Sequence, residues 1–328
     1  MTTVLVTGGA GYIGSHTCKA LARLGHEVVV YDNLSTGHRE FVKWGEFVPG
    51  DIRDTETLRA ACKRFKPDGI IHFAASSYVG ESVQNPGKYF SNNVGGTLSI
   101  LQAMCGEGVP RIVVSGTCAV YGSPAVVPIT ETTPTNPVNP YGASKLFMER
   151  MLADYETAHG LSWVSLRYFN AAGCDPEMEV GERHDPETHL IPRALHAALG
   201  MLPQLEIFGD NYPTPDGTCI RDYVHVLDLA EAHATALTHL LGGRESMAMN
   251  LGSGSGYSVR EVLDLVESVT KRRLPLKTAP RRRGDPAELV ADPAKALEVL
   301  GWRTRHSGLD EIIETAWAWA MQEAGATS

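Results

Sequence analysis

Short apolar runs alternate along the chain with stretches in which apolar residues recur every three or four positions. Val4–Val6, Val28–Tyr31, Ile70–Phe73, Ile112–Ser115 and Val164–Tyr168 have the length of buried strands, and the segments near 13–24, 54–65, 92–106 and 141–158 carry the helical period. Strands separated by amphipathic helices are βαβ units, which impose right-handed crossovers and a parallel sheet covered on both faces. The expected fold is α/β, a doubly wound parallel sheet of the Rossmann type. Beyond residue 170 the pattern loosens. Pro and Gly cluster at 172–186, 200–217, 252–256 and 280–286, between helices expected near 190–199, 228–241, 258–270 and 308–322. We read a second, smaller α+β substrate-binding lobe over 170–328 beside a nucleotide-binding unit over 1–169, with return segments near 220–252 rejoining the first. The Pro-rich stretch 124–140 is long for a connection in a compact domain, and long ordered loops tend to serve a function.

Composition narrows the classes. The 328 residues carry 29 Lys+Arg against 38 Asp+Glu, a net charge of −9, and no basic run exceeds the three arginines 281–283. That balance argues against nucleic acid or an acidic membrane surface as partner. No apolar stretch approaches the roughly 18–20 residues of a membrane span, and no basic segment followed by a long apolar one marks the start for export. The six cysteines (18, 62, 105, 118, 174 and 219) are never closer than 13 residues. This excludes a CxxC pair and matches reduced, cytoplasmic usage without disulfides.

The strand Val4–Val6 runs into TGGAGYIG at 7–14 and then into a helix. Glycines at 8, 11 and 14 answer three needs: a tight turn, close backbone approach to a pyrophosphate, and tight helix–strand packing. A glycine turn can also merely link strand to helix. Asp32, ending the next strand 18 residues past Gly14, stands where a carboxylate holds the adenosine ribose hydroxyls. Such a carboxylate repels a 2′-phosphate, and Asn33 rather than Arg follows it, so NAD is favoured over NADP.

Of the eleven tyrosines only Tyr141 has a lysine four positions on, Lys145, in YGASK at the head of a helical segment. The spacing puts both on one helix face, where an ammonium beside a phenol favours its ionised form. A phenol with a pKa near 10 needs a drop of about 3 units to act as a base at neutral pH, roughly 4 kcal/mol. An exposed tyrosine and a solvated lysine have the same spacing.

With these words in place the chain resembles the extended short-chain dehydrogenase/reductases, and within them the UDP-sugar 4-epimerases. The resemblance runs through TGGAGYIGSH at 7–16, DNLS at 32–35, GDIRD at 50–54, HFAA at 72–75, VGESV at 79–83, NNVGGT at 92–97, YGASK at 141–145 and RYFNAAG at 167–173. It continues in HLIP at 189–192, IFGDNYPTPDGTCIRDYVHV at 207–226, NLGSG at 250–254 and APRRRGDP at 279–286. It implies interconversion of UDP-glucose and UDP-galactose through a 4-keto sugar, by reversible hydride transfer to tightly bound NAD. Tyr141 is the implied base, Lys145 its partner and the holder of the ribose, and Thr117 the hydroxyl on the reacting sugar oxygen. Related dehydratases and decarboxylases usually carry an acid two places after this Thr. Here that place is Ala119, which leaves return of the hydride as the fate of the keto sugar.

The implied cofactor residues are Gly8, Gly11, Tyr12, Ile13, Gly14, Asp32, Asn33, Asp51, Ile52, Phe73, Ala74, Ala75, Asn92, Lys145 and Tyr168. On the substrate side the resemblance implies Thr117 and Tyr141, with Asn170 for the diphosphate and sugar. His189 and Leu190 begin a helix whose N–H groups meet a phosphate. Phe208 is implied for the uracil, Arg221 and Arg282 for the diphosphate, Asp285 for the uridine ribose, and Leu289 for the width of the sugar pocket. Arg281 and Arg283 read as solvated surface charges. Ser77 stands where some members place a lysine near the cofactor phosphates. His184 and His189, with Asp185 and Glu187 between them, have a metal-like spacing, but Pro186 interrupts the segment and no Cys joins it, so no metal is expected. A homodimer through the helices near 92–106 and 141–158 is implied as well. Two rivals stay open: epimerisation of another UDP-sugar, such as UDP-N-acetylglucosamine or UDP-xylose/arabinose, and a non-catalytic dinucleotide sensor, against which the intact Tyr141 and Lys145 count.

Overall fold

A computed structural model describes residues 2–282 and 284–326. The chain opens with β1 (Thr3–Thr7), α1 (Tyr12–Arg23), β2 (Glu27–Asp32), β3 (Glu46–Pro49), α2 (Thr55–Phe65) and β4 (Gly69–His72). A helical stretch follows: α3 (Val79–Gln84), α4 (Pro86–Tyr89) and α5 (Gly96–Glu107), the last two joined through one wider turn at Phe90–Gly95. Then come β5 (Arg111–Ser115), α6 (Pro140–His159) and β6 (Ser162–Tyr168). Local chemistry sets several boundaries. Asp54 caps α2 by accepting from Thr57 N at 3.1 Å, and Gly108 and Gly160, with φ of 72° and 69°, end α5 and α6.

The second half runs β7 (Asn170–Ala172), α7 (Leu190–Ala198), β8 (Leu205–Phe208), β9 (Ile220–His225), α8 (Val226–Leu241) and β10 (Met247–Leu251). It ends with β11 (Gly256–Ser258), α9 (Val259–Thr270), β12 (Leu276–Ala279), β13 (Glu288–Leu289), α10 (Ala294–Leu300) and α11 (Leu309–Ala326). A seven-stranded sheet has the order β10-β6-β5-β4-β1-β2-β3, and every pairing in it is parallel. One face is covered by α1 and α8, whose Cys18, Leu21, Leu229, Ala232 and Leu237 bury Val4, Val6, Ile71 and Val113. The other is covered by α2, α5 and α6, whose Leu58, Ile100, Leu101, Met104 and Leu152 bury Leu5, Val29, Ile70 and Ile112.

The smaller sheet is built around β9, flanked by β11 antiparallel and by β7 and β13 parallel, with β8 and β12 forming a separate pair. Its core joins α7, α9 and α11 through Ile191, Leu195, Val262, Val266, Ile312 and Ile313. The stretch 124–140 is a strap between the two sheets. Ile129 N donates to Val290 O at 2.8 Å, Ile129 O accepts from Asn250 Nδ2 at 2.9 Å, and Glu131 accepts from Asn250 N at 2.7 Å.

Candidate active site

Strand order reverses between β1 and β4, so the loops leaving their C-terminal ends diverge and open a crevice. Around that edge stand Gly8–Gly14 after β1, Asp32 and Asn33 at the end of β2, Asp51 after β3, Phe73–Ala75 after β4, Thr117 after β5 and Tyr168 at the end of β6. The three glycines divide their work. A Cβ on Gly8, whose φ is +74°, would lie 2.5 Å from Ala74 N, and one on Gly14 would lie 2.1 Å from Gly8 O. Both are needed for backbone-to-backbone packing. A Cβ on Gly11 would meet only Gly8 O, at 3.3 Å, so it would fill open space before the N-terminus of α1. That terminus has neither a side-chain cap nor an acidic residue in its first turn, which suits a phosphate.

Asp32, 7% exposed, accepts from Ala10 N at 3.0 Å and from Leu34 N at 2.8 Å, which aims the carboxylate; burial raises its pKa against those bonds. Glycine turn, uncapped helix and aimed carboxylate together fit a dinucleotide with free ribose hydroxyls. Asp51 is taken up by Arg53 at 2.6 and 2.9 Å and by Asn33 Nδ2 at 3.2 Å, and the Arg53 hydrogen bonds hold its carboxyl well below the usual range. The Ile52 side chain is buried in the core.

Asn139 caps α6 by accepting from Gly142 N at 2.8 Å, with Pro140 in the first turn, and so presents Tyr141 and Lys145 one turn apart. Lys145 Nζ donates to Ser115 O at 2.8 Å, and burial lowers its pKa to about 8. The Thr117 side chain acts on the Tyr141 phenol, and its hydroxyl accepts from Ala119 N at 3.2 Å. The trio is assembled at the end of β5. Burial pushes the Tyr141 phenol up, neighbouring Tyr168 adds to this, and Thr117 opposes it. The Lys145 ammonium is held in place on the Ser115 carbonyl.

In the smaller lobe Arg221 on β9 lies opposite Leu289 on β13, pairs with Asp285 and donates to Pro286 O at 2.9 Å. Its charge acts on the Cys118 thiol, so it faces the end of β5. Asn170 begins β7 beside Tyr223. Leu289 packs against Val120, Tyr121, Ile129 and Phe169. Four of these side chains have partners within the protein. The Arg282 guanidinium lies 3.9 Å from the Phe208 ring centroid, so these two stack on each other rather than standing apart. Arg281 is exposed, as a surface charge is, and is tethered there: it lies 4.1 Å over Tyr212 and donates to Asn211 Oδ1 at 2.6 Å. The Tyr12 hydroxyl is spent on Gly173 O at 2.5 Å, which ties α1 to the smaller lobe. His189 caps α7 but turns its ring to Glu182 and Glu187. Arg283 lies outside the described residues.

Residues 4–252 match the model of a family described as NAD dependent epimerase/dehydratase. The chain belongs to the NAD dependent epimerase/dehydratase family. Within this family it is 53% identical over 316 residues, 96% of each chain, to a UDP-glucose 4-epimerase of Rhizobium meliloti (strain 1021). Its fold superposes with a TM-score of 0.96 on the UDP-glucose 4-epimerase from Brucella ovis in complex with NAD, at 54% identity and covering 98% of this chain and 99% of that one. The enzyme from Stenotrophomonas maltophila, with bound NAD and formylated UDP-arabinopyranose, also gives a TM-score of 0.96, at 41% identity over 99% of this chain and 100% of that one.

Two residues outside the motif assignments pack beside the candidate trio. Buried Asn93 donates to Ser76 O at 3.0 Å and to Ser144 Oγ at 2.9 Å, and accepts from Ser76 N at 2.8 Å, binding the loop after β4 to α6. Asn92, the residue singled out, only donates to Asn93 Oδ1 at 3.1 Å. Tyr89 stands edge-on to Tyr141 with centroids 6.4 Å apart. The doubled Asn of NNVGGT was the available signal for Asn93; a tyrosine 52 positions from Tyr141 offered none.

Proposed function

We propose that the chain is a UDP-glucose/UDP-galactose 4-epimerase working through a 4-keto sugar with tightly bound NAD. The carrying observation is the joining of Thr117, Tyr141 and Lys145 at the end of β5, across the sheet edge from the glycine turn, with Ala119 in place of an acid. Bound NAD supplies the acceptor and donor of the carbon-4 hydride and a positive charge beside the phenol. Tyr141 takes the proton of the sugar's 4-hydroxyl and later returns it, while Thr117 steadies the reacting oxygen and Lys145 holds the ribose. Thr117 and Lys145 are buried and Tyr141 is half-buried, which limits the water at the exchange. Arg221, Arg282 and the N–H groups opening α7 hold the diphosphate, Asn170 assists, and Phe208 and Asp285 serve the uridine. Firm UDP contacts and loose sugar contacts let the 4-keto sugar turn and take the hydride back on its other face.

The reading extends to assembly and location. Exposed Leu98 on α5 and Phe147 on α6, with Phe90 edge-on to Phe147 at 6.2 Å, form an apolar face that supports a homodimer through these helices. Six free cysteines, and no described helix long and apolar enough to cross a membrane, support a cytoplasmic enzyme.

A panel of UDP-glucose, UDP-N-acetylglucosamine and UDP-xylose with product identification tests the activity. UDP-galactose from UDP-glucose is the expected preferred product, with slower turnover of the N-acetylated sugar. No epimerised product from any of the three, or product from only the other two, overturns the proposal.

A further inference from the structure

Ahead of α7, and outside the catalytic trio, four side chains within eight positions of sequence point at one another: Glu182, His184, Glu187 and His189. Pro186 does not prevent this. Nδ1 of His189 lies 2.9 Å from an oxygen of Glu182 and 2.9 Å from one of Glu187, and Nδ1 of His184 lies 3.3 Å from an oxygen of each. All four ligand atoms lie within 4.8 Å of one another.

Hydrogen bonding alone accounts poorly for this geometry. An Nδ1 carries at most one proton and gives one good bond, yet each of these nitrogens faces two carboxylate oxygens, and both face the same two side chains. Two protons serve four contacts. A single central cation serves all four at once. Ligands standing about 2.0–2.1 Å from a tetrahedral zinc are separated by roughly 3.3 Å, close to the spacings here.

Charge points the same way. The Glu182 and Glu187 side chains are 8% exposed, and among the described residues their ion pairs are to these two histidines. The nearby cations are otherwise engaged: Arg183 pairs with Glu40 and Glu323, and Arg193 donates to the Glu187 carbonyl. The two buried carboxylates are balanced either by two imidazolium rings or by one divalent ion with two neutral imidazoles, and only the ion also serves all four contacts at once. Glu187 is oriented by bonds from Thr188 N at 2.7 Å and His189 N at 2.8 Å, and the His184 ring is walled by Tyr12 and Tyr78 at 6.2 and 6.1 Å. Two imidazole nitrogens and two carboxylate oxygens are a borderline set that suits zinc, and four protein ligands make a closed, structural site.

We propose that Glu182, His184, Glu187 and His189 bind one zinc ion, which fixes the loop that leads into α7. The ion's place is structural: it braces the N-terminus of α7 against the elements carrying Tyr12 and Tyr78.

The test uses the full chain without a histidine tag, treated with chelator, dialysed and titrated with Zn²⁺ while metal content and X-ray absorption are read. Turnover is not the readout, so the outcome does not depend on the epimerase reading. One ion per chain is expected, with a first shell of two imidazoles and two oxygens at about 2.0–2.1 Å. Glu182→Gln together with Glu187→Gln should weaken binding roughly 100-fold or more. The proposal is overturned by a wild-type chain that takes up no stoichiometric Zn²⁺, by sulfur in the first shell, or by undiminished affinity in the double variant. Should the double variant fail to fold, the wild-type absorption spectrum decides, since a shell lacking two imidazoles overturns the site by itself.

Discussion

Gly11 and Gly14 are three residues apart in one turn, yet a methyl group on each should do opposite things. In Gly14→Ala the new carbon starts 2.1 Å from the Gly8 carbonyl oxygen. Neither backbone can yield without moving α1, so the cost belongs with severe overpacking, about 3 kcal/mol or more. In Gly11→Ala the methyl touches only the same oxygen at 3.3 Å, and the residue, with φ of −86°, is already in a conformation alanine adopts. Losing glycine at a helix N-cap costs about 0.5–1 kcal/mol, a melting shift of about 3 °C at most in a chain this long. The methyl does occupy the space before α1 where the pyrophosphate is expected. Displacing the dinucleotide there by about 1–3 kcal/mol weakens NAD roughly 5- to 150-fold. Thermal melts of cofactor-stripped protein over a range of NAD concentrations separate the two effects, because ligand raises the midpoint only as far as it is bound. Gly11→Ala should melt near wild type without NAD and gain less from it, while Gly14→Ala should melt early throughout. Wild-type NAD affinity in Gly11→Ala would refute the placement of the pyrophosphate.

Tyr141→Phe should leave NAD and UDP bound while turnover falls by at least about 10²-fold, the low end for loss of a general base; near-normal turnover removes Tyr141 from the chemistry. Burial lowers His16 and His233 to about 4, and His72 and His225 to about 3. Between those values and an unfolded pKa of about 6.5 the unfolded chain binds more protons, so stability is lost as pH falls below about 6.5, by about 1–2 kcal/mol per histidine at pH 5. Urea midpoints that match at pH 7 and pH 5 would contradict this. Leu289→Tyr should suppress turnover of the N-acetylated sugar and spare UDP-glucose, with a discrimination of about 1–3 kcal/mol. Proportional loss of both activities in steady-state rates shows that pocket width is set elsewhere.

Strands buried on both faces announce themselves in sequence: β1, β2, β4 and β5 centre on runs of Val, Ile and Leu, while β6 alternates Val164 and Leu166 with Ser165 and Arg167. β3 escaped because it is a four-residue edge strand, Glu-Phe-Val-Pro, only half buried, and β10 because Met-Ala-Met-Asn-Leu owes its place to pairing with β6 rather than to any pattern of its own. The meeting of Thr117, Tyr141 and Lys145 at the end of β5 was legible because each sits in a distinctive word. The anchoring of Lys145 on the Ser115 carbonyl, 30 positions away, was not to be had from spacing. The meeting of Glu182 and His184 with Glu187 and His189 was hidden for another reason. Spacing alone reads a proline-broken segment as extended, and only the folded turn brings its ends together.

The return of α8 and β10 to the larger sheet has a consequence for anyone who would cut the molecule. Residues 226–251 lie beyond the central strand of the smaller sheet in sequence, yet β10 closes the β6 edge and α8 roofs α1. A fragment ending at 169 would bare the backbone of β6 as a pairing template and strip the apolar cover from Cys18 and Leu21, a recipe for aggregation rather than for a portable nucleotide cassette. The same weaving ties the lobes at 169, near 225 and near 252, like stitches along a seam. Any relative motion of the lobes must therefore flex all three crossings together rather than turn on a single hinge.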